Sequence, residues 1–188
     1  RVDTLLQDHK TTLTAHDTKE RQTLTNTLKD IQDHIDQALQ QQTLYYAVHD
    51  ATILVFRLAA PLMRAEHARL AVRPLAHALL ALGASVPLQQ LRFWPWRLRL
   101  ATALCHCYEA SDDAAGALRA ASHALDALDE QRALDALGGG AVDERPYTSA
   151  RRRLASLRLK YELLSEAPAA AGASGAAGGG DKDKGSKK

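Results

Sequence analysis

The sequence predicts an all-α fold of irregular helical hairpins forming a short solenoid, and three features carry that prediction. Of its 188 residues, 46% are hydrophobic and only 5% aromatic, and alanine and leucine are abundant enough to favour helices over a sheet. Apolar residues recur at intervals of three and four through successive segments, which is the mark of a helix with a buried face. Proline, glycine and Ser/Asp groups fall between those segments, where helices start and stop. A chain of this length buries one sizeable core.

Residues 1–42 form a polar segment rich in Thr, Asp, Gln and His, which suit caps and turns as often as helix interiors. Within it Leu24, Leu28, Ile31, Ile35 and Leu39 keep helical spacing and predict an amphipathic helix over 17–42. Its single narrow apolar stripe suits packing on the body of the protein better than pairing with a partner helix.

A helical-repeat domain over 43–166 follows, with helices predicted at 44–63, 66–82, 87–108, 112–137 and 146–164. Gly83 ends one helix and Pro87 opens the next. Ser111, followed by two aspartates, serves as an N-cap with acids in the first turn. Three glycines at 138–140 stop the long helix, and Pro146 suits N1 of the last. Residues 167–188 contain no large apolar side chain and are expected to be a disordered Ala/Gly/Lys tail.

Both tryptophans fall in the stretch LRFWPWRLRL, Leu91 to Leu100. Leu91, Trp94, Leu98, Ala101, Cys105 and Tyr108 form one apolar seam, and Phe93, Trp96, Leu100, Ala103 and Cys107 a second. Two seams on one helix require two packed neighbours. Trp94 and Trp96 are therefore read as core, while Arg92, Arg97 and Arg99 are read as exposed candidates for partner contact. Pro95 removes a backbone hydrogen bond and is expected to kink this helix, at about 3 kcal/mol in an ordinary interior position; a helix starting afresh at Pro95 is the other possibility. A basic, aromatic helix also suggests a calmodulin-type target, but Pro95 and the two-sided apolar pattern favour core.

Leu104, the small Cys105, Tyr108, Ala117 and Ala124 stand where a tetratricopeptide hairpin places a large residue, a small one, an aromatic and two alanines. A weaker version precedes it in Leu58, Ala59, Leu62, Ala71, Leu75 and Ala78. Small residues let helices approach closely, which is how such pairs stack. The equivalent alanines, Ala71 and Ala117, lie farther apart than the about 34 residues of a regular repeat, so the repeats are irregular.

Charge alternates along the chain, with nets of about −3, +6, −6 and +5 over 1–50, 51–108, 109–145 and 146–188. Such blocks imply elements, or neighbouring proteins, that attract one another. The overall charge of +2 and a pI near 8.6 do not call for a nucleic-acid partner. Arg151, Arg152 and Arg153 are further candidates for partner contact, and with the basic block from Arg57 to Arg99 they raise the possibility of an acidic microtubule surface. The plainer reading of the last helix is a solvated basic face over a buried stripe of Leu154, Leu157, Tyr161 and Leu164.

Residues two apart on a helix point roughly 200° apart, so Cys105, His106 and Cys107 cannot converge on a metal, and a disulfide between the thiols would be strained. Buried reduced cysteines are expected. No metal motif, phosphate loop or nucleophile elbow is present, so neither catalysis nor a cofactor is expected. The absence of an 18-residue apolar run or a signal-like N-terminus gives the expectation of a soluble intracellular protein without membrane partners.

The segment SVPLQQLRFWPWRLRLATALCHCYEAS, with Pro61-Leu62-Met63 before it and Ala124-Leu125 after, resembles the family of cilia- and flagella-associated protein 54, very large proteins of the axonemal central apparatus. The matching features are Ser85 to Leu88, Leu91-Arg92, Trp96-Arg97, Leu100, Cys105, Cys107 and Tyr108, in one order, and the resemblance runs from about Leu44 to Glu130. Pro95, the glycine linker and the tail depart from the family pattern. The resemblance implies a fragment or divergent relative with a structural part in a central-pair projection, contacting other axonemal proteins and supporting ciliary beating. A cytoplasmic adaptor holding a peptide in a tetratricopeptide-like groove is the alternative.

Overall fold

The computed structural model describes residues 18–64, 67–137 and 144–173, with the side chains of all of these except 64 and 167–173. Among the described residues the chain forms six α-helices and no strand: α1 Thr18–Leu39, α2 Tyr45–Arg64, α3 Ala68–Ala84, α4 Trp94–Glu109, α5 Ala114–Leu137 and α6 Glu144–Ala173. Successive helices pack side by side, α1 also reaches α3, and α4 also reaches α6, which is the stacking of a short hairpin solenoid.

The polar sequence of α1 folds because Leu24, Leu28 and Ile35 are buried against α2 and α3, with Ile31 and Leu39 half-buried beside them. Each fully buried aliphatic side chain contributes roughly 1.5–3 kcal/mol. The helix therefore shares one core with Val55, Leu58 and Leu62 of α2 and Ala71, Leu75 and Ala78 of α3. Asp36 Oδ1 and His77 Nε2, 2.8 Å apart, tie α1 to α3 at the surface.

The expected single kinked helix over 87–108 is not formed, and the alternative of a helix starting afresh at Pro95 is the one that holds. Short 3-10 turns at Val86–Gln89 and Leu91–Phe93 carry the chain to α4, which begins at Trp94. Pro95 then lies in the first helical turn, where its missing N–H leaves no intrahelical bond unmade. The break is anchored by Leu88, which is buried, and by the side-chain amide of Gln89, which donates to the carbonyl of Gly83 at 2.6 Å.

The connection from α4 to α5 uses its aspartates differently from the expected Ser111 cap. Ser111 Oγ donates to the carbonyl of Cys107, and Asp112 takes the left-handed conformation, φ 57°, that Asp tolerates better than most residues. Asp113 is the cap: its carboxylate accepts the backbone N–H of Gly116 at 2.6 Å. Gly116 is demanded by space, because a Cβ there would stand 2.5 Å from Asp113 Oδ2 and 2.6 Å from Tyr108 Cδ1.

In α6, Leu154 and Tyr161 are buried and Leu157 half-buried, whereas Leu164, expected on the same stripe, is exposed. The backbone of α6 continues to Ala173, beyond the predicted end at 164 and into the stretch assigned to a tail. The remainder of that tail, residues 174–188, and the glycine linker at 138–140 lie outside the described residues.

Candidate functional site

The chemistry-bearing groups gather on α4 and the two helices after it. Helix α4 is the shared wall of two cores, as its two apolar seams require. Leu100, Leu104 and Cys107 are buried against α2 and α3, with Phe93, Trp96 and Ala103 packed beside them. Trp94 and Ala101 are buried with Ala124, Leu125 and Leu128 of α5 and Tyr147 and Leu154 of α6. Cys105, Ala117, Ala121 and Tyr161 form a third small cluster, in which the Cys105 thiol points to the carbonyl of Ala117 at 3.6 Å.

The two indoles thus leave α4 in different directions. Trp94 is 3% exposed, while Trp96 is half-buried, donates from Nε1 to Thr52 Oγ1 at 2.9 Å, and meets the ring of Phe56 edge-on at 5.4 Å. Each interleaved arginine covers an aromatic face: Arg92 lies 4.7 Å from the Phe93 centroid, Arg97 4.4 Å from Trp94, and Arg99 4.9 Å from Phe56 and 5.9 Å from Trp96. At exposed sites each such contact is worth about 0.5–1 kcal/mol.

Arg92 and Arg99 are exposed, but the expectation of an exposed Arg97 is corrected: it is 7% exposed. Arg97 is three residues after Trp94 and four before Ala101, so the helix turns it onto the buried seam, and its planar guanidinium is accommodated by stacking on the indole. Burial lowers its pKa from the ordinary arginine value. The spacing to Trp94 and Ala101 was the available signal, and the habit of placing charge at the surface concealed it.

Arg151, Arg152 and Arg153 are all exposed on α6, and Arg151 Nε pairs with Asp129 Oδ1 of α5 at 3.1 Å. Arg132 and Glu144 pair at 3.1 Å, and Tyr147 donates to the carboxylate of Asp135. At the other end of α6, Glu109 accepts from Lys160 at 2.7 Å and from the Tyr161 hydroxyl at 3.0 Å. The hydrogen bond from Lys160, with help from Tyr161 and His106, holds Glu109 below the usual carboxylate range. Part of the predicted attraction between the acidic and basic blocks is therefore internal to the chain.

Burial pushes the Cys105 thiol up to about 12 and that of Cys107 up to about 11, so both stay protonated and weakly nucleophilic at neutral pH. They face opposite cores, and His106 between them is exposed. Among the described residues no cluster of three or more His, Cys, Asp or Glu could hold a metal, and no helix is long and apolar enough to cross a membrane.

The class defined by this arrangement is a helical-hairpin solenoid whose polar groups tie packed helices together and whose arginines cap aromatic faces. The chain belongs to the cilia- and flagella-associated protein 54 family, whose sequence model matches residues 4–166. That match takes in the polar N-terminal segment, for which the residue-by-residue resemblance gave no support. The chain is similar to Cilia- and flagella-associated protein 54 of Mus musculus, with 27% identity over 126 residues, and to that of Homo sapiens, with 28% over 126. The aligned part is 65% of this chain and 4% of each relative, so the chain spans only a small fraction of their length.

Proposed function

We propose that this chain is a non-enzymatic structural scaffold of the ciliary axoneme, acting in the central apparatus to support assembly of a central-pair projection and ciliary motility. The observation that carries the reading is the family match over residues 4–166, which includes every helix with described side chains up to Glu166. The physical design is compatible with it. Stacked hairpins present long, chemically varied faces to neighbouring proteins, and rigidity comes from shared cores rather than from a ligand. In this reading other axonemal central-apparatus proteins are the partners, Arg92, Arg99, Arg151, Arg152 and Arg153 are contact candidates, and the microtubule surface is a further one.

The test is to tag the chain in a motile ciliated cell, extract with detergent, and compare axonemes with and without a central pair. Retention that disappears with the central pair is expected. A signal that washes out freely from both would overturn the scaffold reading in favour of a cytoplasmic peptide-binding adaptor.

A further inference from the structure

Between α3, the start of α4, α5 and α6 lies a groove of about 360 Å3, with Leu79, Leu80, Leu98, Leu134 and Leu154 supplying apolar wall. Trp94 and Arg97 also line it. Both are more than nine-tenths buried, and the indole Nε1 and guanidinium Nε have no hydrogen-bond partner among the described residues. No carboxylate of the described residues pairs with Arg97. Glu130 stands on the lining of the same groove, exposed and unpaired with Arg97, and His123 is the other titratable side chain there.

A largely buried guanidinium without a counter-charge is unfavourable, and an anionic acceptor reaching its terminal nitrogens from the groove relieves it, whereas Trp94 Nε1 and Arg97 Nε themselves are closed to outside groups. The rigid fork of arginine matches a carboxylate best. The groove's edges continue the apolar surface outward: Leu80 on α3 is 59% exposed and Leu134 on α5 is 56% exposed. That extension suits an occupant longer than a small molecule.

We propose that this groove docks a short amphipathic segment of a partner protein, which places an Asp or Glu carboxylate on the guanidinium of Arg97 and leucine-sized side chains against Leu80 and Leu134. It rests on the scaffold reading only in supposing a protein partner. It is tested in solution, so its failure is separate from a failure of axonemal retention.

The probe is a library of random dodecapeptides displayed on phage and panned on the 188-residue chain, the enriched sequences then being synthesised with fluorescein for anisotropy. Enrichment of an acidic residue between leucine-like residues is expected. Arg97→Met, or exchange of that peptide acid for its amide, should weaken binding at least tenfold, while Arg69→Ala, on an exposed position near the far end of α3, should not. Leu80→Glu alters only an exposed edge and should also weaken binding tenfold, which keeps the test decisive if circular dichroism shows Arg97→Met unfolded. No enriched peptide, enrichment without an acid, or binding indifferent to Leu80→Glu and to the acid-to-amide exchange would overturn the proposal.

Discussion

The α1–α3 half and the α5–α6 half of this molecule reach stability by different means. The first buries leucine, isoleucine, valine and alanine in one continuous core, with cross-helix ties such as the Asp36–His77 pair at its surface. The second brings helices together on alanines and buried tyrosines, and adds Arg132–Glu144, Arg151–Asp129, Lys160–Glu109 and Tyr147–Asp135 at the margins. Both halves leave leucines exposed, Leu70 and Leu80 on α3 and Leu134, Leu159 and Leu163 on α5 and α6. Aliphatic burial is not screened by salt and does not titrate in mild acid, whereas ion pairs at the surface are weak and screened. The difference teaches that α1–α3 rest on one broad core that α4 completes, while α5 and α6 join it through α4 and add polar ties at their margins.

The largest effects should come from the side chains on which each half depends. Trp94→Ala is expected to cost about 3–5 kcal/mol and Leu58→Ala about 2–5, measured by urea unfolding. Trp96→Ala should cost less than Trp94→Ala, because Trp96 is only partly buried and Trp94 almost fully so. Equal losses for the two tryptophans would erase the distinction between the seams.

Gly116→Ala sharpens the comparison from the other side. In an exposed helix interior the change gains up to about 1 kcal/mol, but here the added methyl meets the capping aspartate and Tyr108. A loss of about 1–3 kcal/mol is expected, and a higher melting temperature would show that α4 and α5 are not in close contact at this point.

Glu109 gives the pH arm. Its pKa is depressed in the folded state, so its contribution is present above the ordinary value of 4.5 and is lost as pH falls through the lower folded value. Melting followed from pH 6 to pH 3 should therefore decline more steeply below about 4.5 in the native chain than in Glu109→Gln. Parallel curves would remove the Glu109 tie from the account. Arg151→Ala is the smallest case, with under about 0.5 kcal/mol expected because both partners are substantially exposed.

The regular part of this architecture was legible in the sequence because it is written in spacing. Leu24 to Leu39 on α1 and the two seams of α4 follow from counting threes and fours, and Cys105, Ala117 and Ala124 fall where close helix approach needs small residues. What was not legible depended on contacts between elements. Pro95 signalled a possible fresh helix start, but the buried Leu88 and the Gln89–Gly83 bond that hold the break are contacts no local propensity encodes. Arg97 is buried because its spacing from Trp94 and Ala101 turns it onto a seam, a signal present in the sequence that its charge concealed. Gly116 looks like an ordinary helix-start glycine until Tyr108 is laid over it.

Native-state hydrogen exchange, resolved by helix, tests the central contrast most directly. Amides of α1–α3 should exchange only through global unfolding, while those of α5 and α6 open at lower free energy, with 1 M salt widening the gap. Uniform protection across all six helices, unchanged by salt, would contradict the account and make the two halves a single cooperative unit.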